Sequence, residues 1–245
     1  MSYNFKFKYN LLFGGEDKYG NCLNDTYIFF NEFWSKILLK TNFSVPTKCK
    51  GASLCFTNTC FVLFGGYNNE KFLNHTWLFI VQPNFINPLL NDIYWRELTI
   101  DINPCARAYS SMVFDSLTNQ LVLFGGSTGE KILNDTWLFS KKTNTWTCLE
   151  IVNSPCFRFN ASMCYDFKFE NIILFGGQNE NIQNLNDIWL FSTKNNTWSC
   201  LEISNSPSPR YGASMIYDFE LEKIILVGGH NNENFLNDIW ILELY

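Results

Sequence analysis

The feature that most constrains this chain is a pair of phrases repeated five times along it. An apolar run ends in a diglycine at Gly14-Gly15, Gly65-Gly66, Gly125-Gly126, Gly176-Gly177 and Gly228-Gly229. Nine or ten residues after the first glycine of each pair comes a second phrase. Its copies are Asn24-Asp25-Thr26-Tyr27, Asn74-His75-Thr76-Trp77, Asn134-Asp135-Thr136-Trp137, Asn186-Asp187-Ile188-Trp189 and Asn237-Asp238-Ile239-Trp240. The diglycines are 51, 60, 51 and 52 residues apart. A fixed period near 50 residues marks a repeat architecture, in which each unit buries itself against its neighbours.

One period reads as four strands. In the third, the stretch from Arg107 to Asp115 is a first strand and Asp115 to Asn119 a polar turn. Leu121 to Phe124 is a short, continuous apolar run, as expected of a strand buried on both faces, and the diglycine ends it. Leu133 to Phe139 forms a third strand and Trp146 to Leu149 a fourth. Four antiparallel strands in 50 residues make a propeller blade. From Trp95 to Arg107, Trp146 to Arg158 and Trp198 to Arg210 the distance is twelve residues each time, so one loop geometry joins each blade to the next.

The composition narrows the function. A hydrophobic fraction of 47% with 18% aromatics supplies a core for one all-β domain over residues 1–245. A net charge of −5 argues against nucleic acid, which needs a basic stripe, and against an anionic membrane surface. No run approaches the ~20 apolar residues of a membrane helix, and the N-terminus has no apolar signal core, which predicts a cytoplasmic protein. Several of the nine cysteines occupy equivalent positions in different repeats, such as Cys148 with Cys200 and Cys105 with Cys156. Blades hold such positions beyond the ~7 Å reach of a disulfide, so free thiols are expected. No CxxC pair occurs, and no metal or cofactor is expected.

The diglycine, the Leu-Asn-Asp-x-Trp phrase, and the trailing Trp twelve residues before an Arg together resemble the kelch repeat. The subtype is similar to that of Rab-effector, acyl-CoA-binding and phosphatase-linked kelch proteins. The resemblance implies an all-β kelch-type β-propeller with repeats at about 1–46, 47–104, 105–155, 156–207 and 208–245. The blades are four-stranded, the last lacking its outer strand before Tyr245. The first repeat lacks the Arg-bearing start of its first strand. The second has Lys48-Cys49-Lys50 for the Arg, His75 for the Asp, and extra residues around Gln82 to Asn91. Two readings stay open, an imperfectly closed five-bladed ring and part of a six- or seven-bladed one.

Asp25, Asp135, Asp187 and Asp238 are read as structural, bonding turn amides, and the repeat-phrase tryptophans as inter-blade packing. In the kelch family Arg107, Arg158 and Arg210 lie near the mouth of the central channel, where they either hold a carboxylate or tie blades together. His75 and His230 sit in non-equivalent places, so a copper site of the galactose oxidase kind cannot assemble. The loops after the diglycines, Glu16–Tyr19, Tyr67–Glu70, Ser127–Glu130, Gln178–Asn181 and His230–Glu233, vary on a fixed frame as binding loops do. The expectation is a monomeric, non-catalytic interaction scaffold that binds an acidic protein or peptide through Arg107, Tyr109, Arg158, Arg210, Tyr211, Tyr67 and His230. The alternatives are a targeting domain of a larger enzyme such as a phosphatase, or a kelch-fold sugar or metabolite isomerase or lyase.

Overall fold

A computed structural model describes residues 1–4, 8–39, 43–82 and 92–242. The added residues expected around Gln82 to Asn91 lie almost wholly outside the described residues. The fold is all-β: five antiparallel sheets of propeller-blade type, four with four strands and the last with three. The chain divides into two compact units, Met1–Ala108 and Tyr109–Tyr245.

The first unit carries two blades. Blade one is β1 (Ser2–Asn4), β2 (Tyr9–Phe13), β3 (Thr26–Phe30) and β4 (Phe33–Lys36), and blade two is β5 (Ser53–Thr57), β6 (Cys60–Phe64), β7 (Thr76–Gln82) and β8 (Asp92–Leu98). The second unit carries three. Blade three is β9 (Ser111–Asp115), β10 (Gln120–Ser127), β11 (Ile132–Ser140) and β12 (Thr145–Leu149). Blade four is β13 (Ser162–Asp166), β14 (Asn171–Phe175), β15 (Ile188–Ser192) and β16 (Thr197–Leu201). Blade five is β17 (Ser214–Asp218), β18 (Lys223–His230) and β19 (Phe235–Leu242).

Within each blade the strands form a meander in chain order. The sequence places the start of the first strand of blade three at Arg107, whereas pairing begins at Ser111. The diglycine ends the second strand in blades one, two and four. In blades three and five the strand continues through it, with the register shift of a bulge at Gly125 and Gly228.

Apolar second strands carry the core, with Val62, Val122, Ile172 and Ile173 fully buried. Between blades the main filler is the fourth-strand Trp. Trp198 is 3% exposed and sits between Phe191 of its own blade at 4.9 Å and Phe124 of blade three at 5.1 Å. Its indole N–H donates to Thr136 Oγ1 of blade three at 3.0 Å. Trp95 repeats the arrangement against Phe79, Phe13 and Thr26. Sequence reasoning assigned this packing to the Trp of the repeat phrase; Trp77 is buried in the core, but Trp137, Trp189 and Trp240 are only half-buried. Their indoles donate instead to the Asp two residues earlier, each at 2.7 Å.

Trp198→Ala should therefore cost roughly 3–5 kcal/mol, as a core Trp truncation, while Trp137→Ala costs clearly less. Chemical denaturation of the two variants compares them, and an equal loss would mean that both indoles serve as core.

Candidate functional site

Every described junction between consecutive blades within a unit is built on one backbone device. The peptide of the residue at the Arg position is held from both sides by the preceding blade. The N–H of Arg158 donates to Leu133 O at 3.0 Å, and its carbonyl accepts from Gly126 N at 2.9 Å. Arg210 does the same with Leu185 and Gly177, and Cys49 with Leu23 and Gly15; Arg107, inside the first unit, makes the same two bonds with Leu73 and Gly66. This approach requires the first glycine of each pair. Gly176 has φ +64, and a Cβ there would lie 2.6 Å from Arg210 O; at Gly125 it would lie 2.5 Å from Arg158 O.

The arginine side chains turn back into their own blades. Arg158 donates from Nη1 to Gly176 O and Asp187 Oδ1 and from Nη2 to Asp187 Oδ2, at 3.0, 2.7 and 2.7 Å. Arg210 repeats the fork with Gly228 O and both oxygens of Asp238. Both guanidinium groups are buried. Asp187 and Asp238 thus each serve an Arg and a Trp, where the sequence suggested turn amides, while Asp25 pairs with Lys36. Burial raises the pKa of Asp187, but the hydrogen bonds and charge of Arg158 outweigh it and leave the carboxyl below its ordinary range. The hydrogen bonds of Arg210 bring Asp238 down to about 2.

Blade two confirms the pairing by losing both halves. Cys49 occupies the Arg slot, buried, with its thiol pushed up to about 12 by desolvation. His75 stands in the Asp position and turns outward to pair with Glu97. All nine cysteines are free thiols.

The expected site residues separate into two kinds. Arg107, Arg158 and Arg210 are 0%, 1% and 1% exposed, with the forks of Arg158 and Arg210 already filled by carboxylates of the chain. The other four lie half-buried among the loops. Tyr211 and His230 come together through reciprocal backbone hydrogen bonds, their rings 5.3 Å apart, and His230 stacks edge-on to the exposed Phe235. Tyr109 has φ 60 and lies 6.4 Å from Phe159, and its carbonyl accepts from Asn160 N at 2.9 Å. Tyr67, in the first unit, packs on Phe72 and donates its hydroxyl to Asn69 O.

Sequence reasoning missed the aromatic groove that the second unit builds between blades three and four. It is lined by Gly129 to Ile132, Phe157, Phe159, Asn179, Glu180 and Ile182. Phe157 is 46% and Ile182 64% exposed, and Ile182 holds φ 59, which is costly for a β-branched residue. Two signals could have found it. Phenylalanines flank Arg158 where alanines flank Arg107, and the loop after Gly177 is one residue longer than its counterpart in blade three. Among the described residues no group of His, Cys, Asp or Glu could hold a metal ion, and no helix is long and apolar enough to cross a membrane.

Blades clamped through diglycine and Arg define the class of kelch-type propeller blades. The sequence matches the KLHDC2/KLHL20/DRC7 Kelch-repeats domain over residues 8–154 and again over 117–245, and the chain belongs to the kelch-repeat family. It is 25% identical to the flagellar outer arm dynein alpha chain of Chlamydomonas reinhardtii, over 81% of this chain and 5% of that one. It is 27% identical to an F-box/kelch-repeat protein of Arabidopsis thaliana, over 82% of this chain and 43% of that one. The chain thus spans less than half the length of either relative.

Two outcomes test the clamp. Gly176→Ala should cost at least ~2 kcal/mol through the positive φ and the blocked carbonyl, whereas Gly20→Ala, with φ +82 and open space, carries only the backbone strain. The Asp238 contribution to stability is present above its ordinary 3.8 and is lost as pH falls toward about 2. Asp238→Asn should flatten that part of a melting-point titration; an unchanged slope would remove the Arg210 pair as its source.

Proposed function

We propose that the chain is a non-catalytic protein-interaction module that binds a peptide segment of a partner protein on its loop face. The groove between blades three and four carries the reading, because exposed Phe157 and Ile182 stand there on a rigid frame. Preorganised loops bind with little ordering cost, and exposed aromatics are the usual anchors of such contacts. Glu130, Lys131 and Glu180 rim the groove with both signs of charge, which suits a mixed-charge segment better than a purely acidic one. Tyr109, Tyr211, His230 and Tyr67 are contact residues in this reading. Arg107, Arg158 and Arg210 position the loops from below.

Kelch propellers typically serve as interaction domains, and both relatives carry the matched stretch inside a longer chain, which fits a module that positions other segments. Nine free thiols fit work in a reducing compartment such as the cytoplasm.

The test is quantitative affinity capture from native extract with the wild type, Phe157→Ala and Lys131→Glu. A protein held by the wild type should bind Phe157→Ala about tenfold more weakly, a loss of ~1.4 kcal/mol, with melting unchanged because the ring is exposed. Equal recovery by all three forms would place the binding surface elsewhere.

A further inference from the structure

The hairpin turns between first and second strands lie at the far end of each blade from the diglycine loops. In blade four β14 separates the two by five residues, roughly 17 Å of extended chain. The turns of blades three, four and five are each built on one aspartate. Asp115 Oδ1 accepts from Leu117 N, Asp166 Oδ1 from Lys168 N and Phe169 N, and Asp218 Oδ1 from Glu220 N and Leu221 N, all between 2.8 and 3.2 Å. A turn closed by its aspartate requires nothing apolar of the residues it carries. Blade three places Ser116 first in the turn, whereas blade four carries Phe167 and Phe169 and blade five Phe219 and Leu221.

These rings form one patch. Phe167 lies 4.8 Å from Tyr165 of its own blade, and 4.8 and 5.3 Å from Phe219 and Tyr217 of blade five. Even so, Phe167 is 38% and Phe169 42% exposed. Blade four has a neighbouring blade on either side, so this exposure belongs to the hairpin itself. Contiguous exposed aromatics, unlike scattered ones, mark a contact surface.

Carboxylates stand beside the rings against local preference. The last turn residue adopts the left-handed region in all three blades, with φ 58 at Asn119, 55 at Glu170 and 51 at Glu222. Asparagine tolerates that region, and glutamate enters it at a cost. The chain's own Lys168 shows what such a surface attracts. Its Nζ lies 3.1 Å from Glu222 and 5.8 Å from the centre of the Phe169 ring, with both charged side chains exposed. A guanidinium fits the same surroundings better than an ammonium, because it stacks flat on a ring while its N–H groups fork to a carboxylate.

We propose that this aromatic and acidic face of blades four and five binds an arginine-bearing segment of a partner protein. The guanidinium stacks on the Phe167 and Phe219 rings and pairs with the carboxylates of the blade-five turn, and Lys168 is its competitor within the chain. A second copy of the chain is a poor occupant, because Arg107, Arg158 and Arg210, three of its four arginines, are buried.

The probe is an amidated Gly-Ser-Arg-Gly-Ser-Arg-Gly peptide, titrated into the intact chain and followed by amide chemical shifts. Its control carries citrulline for arginine, which keeps the shape and removes the charge. The arginine peptide should shift amides at 166–169 and 217–222, and the citrulline peptide should bind roughly fivefold more weakly. Added salt should weaken the arginine peptide. Phe167→Leu keeps an apolar side chain without the ring face and should cost roughly two- to fivefold in affinity. Lys168→Ala removes the competitor and should tighten binding, a gain that loss of folding cannot produce. No shift at these turns, equal binding of the two peptides, or binding no tighter in Lys168→Ala would overturn the proposal. So would shifts at 166–169 that grow with protein concentration alone, which would assign the face to a second copy. Capture by phosphatidylcholine vesicles that Phe169→Ala abolishes would assign it to a membrane instead. The face shares no residue with the loop groove, so Phe157→Ala should leave peptide binding unaffected, and either reading can fail alone.

Discussion

The junctions within each unit depend on one residue per blade, its carbonyl held by a glycine N–H and its N–H by a leucine carbonyl of the blade before it. Packing alone would let two sheets slide, since apolar contact is non-directional. Two backbone hydrogen bonds across each junction fix the offset, and the first glycine must lack a Cβ for the carbonyl to come within reach. The repeated diglycine and the Leu of the second phrase are the two jaws of this clamp, which is why they recur together. Serine hydroxyls add a third tie: Ser111 Oγ donates to Ala161 O and Ser162 Oγ to Ala213 O, at 2.6 and 2.5 Å.

The arginine makes the clamp directional. Its main chain belongs to the junction behind it, while its guanidinium reaches the diglycine carbonyl and the Asp of its own blade. Blade two shows which part is dispensable. Cys49 keeps both backbone bonds without the side chain, and the Asp is replaced at the same time by His75, which finds Glu97. An aspartate left facing an apolar thiol would have no counter-charge, so the two substitutions make sense only together.

Much of the fold was legible because the period is written in residues with one physical use. Glycine at positive φ, an apolar run buried on both faces and a Trp twelve residues before an Arg leave few architectures open. The roles of individual side chains were harder to read. Which Trp is core depended on register across two blades, visible only once Trp198 was seen against Phe124 and Thr136. The arginines left two roles open in sequence, and the carboxylates that fill their forks lie 29 and 28 residues away. The groove was hidden for the opposite reason. It arises where blade four departs from the repeat, at Phe157, Phe159 and a lengthened loop, and a reading built on what recurs passes over what does not.

The clamp also orders events in time. Gly126 of blade three receives its partner carbonyl from Arg158, and Gly177 of blade four receives its own from Arg210, 32 and 33 residues later in the chain. A ribosome delivers residues at roughly 5–20 per second, so each sheet waits a few seconds, mostly formed, for the peptide that seals it. Through that interval the jaws are open and the apolar flank is bare, and the next repeat is the only natural closure. Synthesis from the N-terminus therefore lays the blades down in sequence, each completed by the first residues of its successor.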